Sequence, residues 1–146
     1  MSETTLSPDQ PSRLLFGVPL RSLRHLLTQN LLPPVWEVEP LVIQGQRVML
    51  VGQWGAFKSW LLQHLGLSLA SGPGVWLNIF KIPAARRVLY VDKEMSEPGA
   101  TRRLQRLAAG MRLEQVRDYP FDLVSHPKFT MTHQGGALLL DALNEI

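Results

Sequence analysis

The sequence predicts an α/β fold built in three layers, with a parallel sheet covered by helices. Three observations predict it. Two short runs, Arg47-Val48-Met49-Leu50-Val51 and Val88-Leu89-Tyr90-Val91, have the nearly continuous apolar character of strands covered on both faces. A helix-length segment follows each of them, at 58–70 and at 97–111. A third, weaker run, Phe121-Asp122-Leu123-Val124, precedes a last helical pattern at 136–146. This alternation implies parallel strands joined by right-handed crossovers.

Residues 1–19 hold Pro8, Pro11 and Pro19 among Ser, Thr and acidic side chains, which is the composition of a flexible tail. Residues 20–45 form a lead-in. Leu20, Leu23 and Leu27 fall at helical spacing, and Pro33-Pro34 ends that pattern. Val35-Trp36-Glu37-Val38-Glu39-Pro40 alternates apolar and polar and is expected to be extended. Residues 46–146 are the remaining domain. Within it, 58–70 carries leucines on several faces, as a buried helix does, and Gly72 is placed to stop it. Residues 73–83 read as a loop holding Trp76 and Phe80. Ser96 can cap the next helix, with Glu97 and Pro98 in its first turn. Ala100, Leu104, Leu107, Ala108 and Met111 then make one apolar stripe.

A chain of 146 residues can bury one core. The absence of cysteine excludes disulfides, thiolate zinc sites and cysteine nucleophiles. The start, Met1-Ser2-Glu3-Thr4-Thr5, lacks the basic-then-apolar order of a signal peptide. The most apolar stretch, 61–70, is broken by Gln63 and His64 and falls short of the roughly 20 residues a membrane span needs. A cytoplasmic protein without a membrane partner is the expectation. His25, His64, His126 and His133 lack metal-ligand spacing. The net charge of +3 permits acidic partners without requiring them. Arg102, Arg103, Arg106, Arg112 and Arg117 face only Glu97 and Glu114 in the same segment, so DNA is one such partner, although a basic helix face is more often simply solvated.

Gly52-Gln53-Trp54-Gly55-Ala56-Phe57-Lys58-Ser59 fits the phosphate-loop pattern G-x-x-x-x-G-K-[ST] at the first glycine, the lysine and the serine; Phe57 stands where the second glycine belongs. The chemistry needs backbone N–H groups turned toward phosphate oxygens and a helix starting at the same place. It also needs a cation for the outer phosphates and a hydroxyl for Mg²⁺. Gly52 and Gly55 supply backbone freedom, Lys58 the cation and Ser59 the hydroxyl; Gln53, Trp54, Ala56, Phe57 and Trp60 complete the expected nucleotide contact. If position 57 requires positive φ, a phenylalanine is strained there. The competing reading is a tight strand-to-helix turn with an exposed lysine. Trp54 can stack on a base or pack against a neighbouring segment.

Asp92 and Glu94 sit just beyond the second strand. Two residues apart in extended chain, they would share one face at the carboxyl end of a parallel sheet, where ligands bind. Asp92 would then hold Mg²⁺ through water, and either acid could orient an attacking water. The alternative is that both merely favour the following helix start.

From the loop through Val91-Asp92-Lys93-Glu94-Met95-Ser96 and the Arg-Leu pair, the chain resembles the RecA-like P-loop ATPase core over roughly 35–146. Within it the match is to the RepA/DnaB-type replicative helicase group and to phage and plasmid AAA ATPases. The resemblance implies ATP and Mg²⁺ as ligands, Glu94 as catalytic base on water, Lys58 on the β/γ-phosphates and Arg102 or Arg103 near the nucleotide. It implies a role in DNA replication, and a homo-oligomer, because such rings complete their sites with a neighbour's arginine. The family would next offer an apolar strand ending in a Mg²⁺-organising aspartate, the Walker B strand. None follows here, so the chain is expected to be the amino-terminal piece of a longer ATPase. A P-loop small-molecule kinase with an arginine lid, and a non-catalytic DNA-binding or assembly fragment, are the alternatives.

Overall fold

The computed structural model of the chain describes residues 14–114, 116–128, 132, 134–137 and 141. It divides into two units, Met1–Pro33 and Pro34–Ile146. In the first, β1 (Leu14–Leu15) and β2 (Val18–Pro19) form a small antiparallel hairpin. Helix α1 (Leu23–Thr28) is shorter than the leucine spacing suggests and buries none of its residues. It starts at Ser22, whose hydroxyl accepts the His25 N–H at 3.2 Å.

The second unit opens with the expected extended segment. Strand β3 (Trp36–Val38) turns back into β4 (Val42–Ile43) as an antiparallel hairpin. Helix α2 (Lys58–Ser71) follows the loop and stops at Gly72, which takes a φ of 115°. Residues 73–83, expected as a loop, form a second hairpin, β5 (Gly74–Trp76) with β6 (Phe80–Ile82). The turn between them is made by Leu77 and Asn78, both at positive φ, with Ile79 N–H bonded to the Trp76 carbonyl at 3.1 Å. Positive φ at both central positions matches the twist of paired strands. Leu-Asn makes that turn without the glycine that would have announced it.

Strand β7 (Val88–Asp92), helix α3 (Glu97–Gly110) and strand β8 (Phe121–Ser125) form a strand–helix–strand unit. The two strands pair in parallel, from Val88 opposite Phe121 to Asp92 opposite Ser125. Ser96 occupies the N-cap position of α3, although its side chain makes no capping hydrogen bond, and Pro98 sits in the first turn. Its stripe lies inward as the spacing predicts: Ala100 is fully buried, and Leu104, Leu107, Ala108 and Met111 are half-buried.

The sheet expectation needs correction. The described strands make four two-stranded sheets, and β7–β8 is the parallel pair among them. Residues 47–51, expected as a buried strand, have no strand pairing, and Val48, Met49 and Val51 are 64%, 84% and 79% exposed. Apolar character alone does not make a strand, because the backbone groups need a neighbouring ladder. The last helical pattern, at 136–146, lies mostly outside the described residues.

The core gathers Val38, Trp76 and Ile82, with Val42, Leu61, Leu65, Leu69 and Phe80 packed around them. It therefore joins both hairpins to one face of α2. Full burial of Val38 and Ile82 contributes about 1.5–3 kcal/mol apiece. The indole N–H of Trp76 donates to His64 Nδ1 at 2.9 Å, which gives that histidine a structural role. An ion pair between Arg86 and Glu37 ties β3 to the approach to β7. On its other side α2 lies tight against β7 and β8 at Gly66, where a Cβ would stand 2.9 Å from the Phe121 ring.

Candidate functional site

The loop at 52–57 closes on itself before α2 begins. Ala56 N–H bonds to the Gln53 carbonyl at 3.3 Å, which places Trp54 and Gly55 at the tip of the turn. Gly55 takes a φ of 78°. Trp54 is fully exposed. Phe57 takes φ 54° and ψ 21°, the left-handed region that the sequence pattern reserves for glycine, and acts as N-cap of α2. Its side chain offers no capping acceptor, and the first turn of α2 carries no acid. The first-turn N–H groups therefore lack side-chain partners and lie at the positive end of the helix dipole.

Lys58 leans back over the loop. Its Nζ donates to the Gly52 carbonyl at 2.9 Å and to the Gln53 carbonyl at 2.7 Å. An ammonium has three donors, so one remains for a ligand. The Lys58 stem passes close to Gly52, where a Cβ would meet it at an ordinary contact distance of 3.6 Å.

Residues 54–60, Glu94 and Arg103 line a cavity of about 350 Å³. That size suits a small ligand. Residues 54–57 of the loop, Lys58, Ser59 and Glu94 thus converge although Glu94 lies 35 residues beyond Ser59, while Gly52 and Gln53 lie off the cavity wall. Ser59 and Trp60 are half-buried on its wall, and Glu94 is exposed.

The other candidates are placed differently. Asp92 is 7% exposed and does not line the cavity. Its Oδ1 accepts the N–H groups of Glu94 and Met95 at 2.9 and 2.8 Å. The chain bends directly after β7, so Asp92 and Glu94 do not continue one extended face. Asp92 instead pins the turn that presents Glu94. Arg102 is exposed and off the cavity wall, whereas Arg103 is half-buried on it; adjacent helical residues point about 100° apart.

Arg103 and Trp60 were both expected at the site, but their contact with each other was not, and neither were Gln63 and Tyr90. The Arg103 guanidinium carbon stands 4.9 Å from the centroid of the Trp60 ring. Gln63, one helical turn past Ser59, is fully buried with neither amide atom in a hydrogen bond. Burial raises the Tyr90 hydroxyl above its ordinary pKa of 10.0, and the Asp92 carboxylate adds to this, while Arg103 and the nearby Gln63 amide pull the other way. Tyr90 is therefore neutral, and Arg103 is close enough to act on it. Only Gln63 gave a sequence signal, as a break in an apolar helix.

No group of three His, Asp or Glu side chains among the described residues could hold a metal by itself. That is compatible with Mg²⁺, which prefers one or two protein ligands together with phosphate oxygens and water. Ser59, on the cavity wall at the helix start, is the residue that would hold it.

A family model described as an AAA domain matches residues 11–145. No curated protein and no solved structure matches the chain.

Proposed function

The chain belongs to the AAA-domain family, and on that premise we propose that it binds ATP through residues 52–59 and hydrolyses it with Mg²⁺. One observation carries the reading. A helix start without a side-chain cap, a lysine bent over the loop and a serine hydroxyl face the same cavity as a carboxylate from a distant turn. Free N–H groups at a helix N-terminus suit an anion, and a polyphosphate can supply acceptors to all of them.

Each residue then has a task. The loop amides hold phosphate oxygens. Lys58 keeps the loop closed through its two carbonyl bonds and turns its remaining N–H to the β/γ-phosphates. Ser59 contributes its hydroxyl to Mg²⁺, which when bound neutralises charge on the phosphates. Glu94, held by the turn that Asp92 pins, accepts a proton from the water that attacks in line.

The wider reading is a helicase-like ATPase of RepA/DnaB type, acting on DNA as a homo-oligomer. The parallel β7–α3–β8 unit beside the loop supports the three-layer arrangement of that class. The exposed Arg102 and Arg106 on α3 support an acidic partner. No helix among the described residues is long and apolar enough to cross a membrane.

The test is product analysis under Mg–ATP. Release of inorganic phosphate that falls by about 10²-fold or more in Glu94→Gln supports the reading. A phosphorylated acceptor in place of free phosphate would make the protein a kinase instead.

A further inference from the structure

Three aromatic side chains belong to the cavity wall, and they differ in what they touch. Trp54 and Phe57 present their rings to solvent. Trp60, on the first turn of α2, carries the Arg103 guanidinium over its ring at 4.9 Å. Arg103 comes from the second turn of α3, so this contact bridges the two helices across the wall.

The nature of the contact matters for what Arg103 can still do. No carboxylate among the described residues forms an ion pair with Arg103. A carboxylate partner would have consumed its donors in a paired fork. An aromatic ring uses only the face of the guanidinium and leaves the in-plane N–H groups available. Arg103 is thus fixed in place with its hydrogen-bonding edge uncommitted, beside a cavity whose lysine already has two of its bonds made to the loop.

We propose that Trp60 is a positioning residue that holds Arg103 ready for the terminal phosphate of a bound triphosphate, so that the pair distinguishes ATP from ADP. This rests on residues 52–59 being the phosphate loop and deepens that reading. The loop amides hold the phosphates from the turn, and Lys58 brings its one remaining N–H to the β/γ-phosphates, so the terminal phosphate still has oxygens for Arg103. Arg103 lines the same cavity as Glu94, the residue assigned to the attacking water, and that water approaches the last phosphorus. Trp60 directly follows Ser59, so any shift of the first turn of α2 on binding carries the ring, and with it Arg103.

The test is an equilibrium titration of the full chain with Mg–ATP and with Mg–ADP, for the parent, Trp60→Leu, Trp60→Phe and Arg103→Gln. The parent should prefer ATP by about tenfold or more. Trp60→Leu and Arg103→Gln should lose that preference, ATP affinity falling about tenfold further than ADP affinity. Trp60→Phe, which keeps a ring face, should retain most of it. Equal weakening of both nucleotides in Trp60→Leu, or no change in either, would overturn the assignment. Circular dichroism of each variant identifies a folding defect, and Arg103→Gln tests the same preference without removing the ring. A parent that bound neither nucleotide would sink the phosphate-loop reading itself, whereas a parent binding both with unaltered variants would sink only the role of Trp60.

Discussion

Phe57 is the residue at which pattern and physics meet most directly. Its left-handed backbone costs about 1 kcal/mol for a residue with a Cβ, and its ring, 75% exposed, recovers little of that by packing. Phe57→Gly should therefore raise unfolding stability by about 0.5 kcal/mol in a denaturant titration, the relief of strain being partly offset by glycine's freedom in the unfolded chain. A loss of 1 kcal/mol or more would show that the ring has a structural partner. The strain at this position was legible from the motif alone, because the pattern reserves it for glycine. The pairing of Arg103 with Trp60 was not, since 43 residues separate them and no local rule links a helix start to a later helix. The same holds for Asp92: its place beside Glu94 was plain, but its turn toward two backbone amides depends on the bend after β7.

Among the elements, helix α2 does two things at once, presenting its start to the cavity and its flank to the core. Gly66 sets how closely that flank approaches the parallel pair, because a Cβ would meet Phe121 at 2.9 Å and Val88 at 3.3 Å. Gly66→Val should destabilise the fold by about 1–3 kcal/mol, read from the midpoint of chemical unfolding. A neutral result would mean that α2 is not seated on β7 and β8 as described. Helices α2 and α3 were legible from spacing, from Gly72 and from Ser96. The β5–β6 hairpin was hidden because Leu77 and Asn78 take positive φ without glycine. Residues 47–51 erred the other way. Their apolar content reads as a strand, but pairing is a property of neighbours, which one segment's sequence does not reveal.

At the scale of the second unit, the cavity receives groups from the loop, α2, the turn after β7 and α3. The alternation of apolar runs with helix-length segments pointed to the α/β class, and composition excluded cysteine chemistry. Neither could give sheet order, which is set by contacts between distant segments. The central claim is that main-chain amides at the start of α2, with Lys58 over them, hold a triphosphate. The most direct measurement is calorimetric titration of the intact chain and of Lys58→Ala with Mg–ATP. The account predicts saturable binding by the parent and affinity weakened by about tenfold or more in the variant, the loss of a charge-assisted contact. Equal affinity in the two proteins, or no binding by the parent, would contradict it.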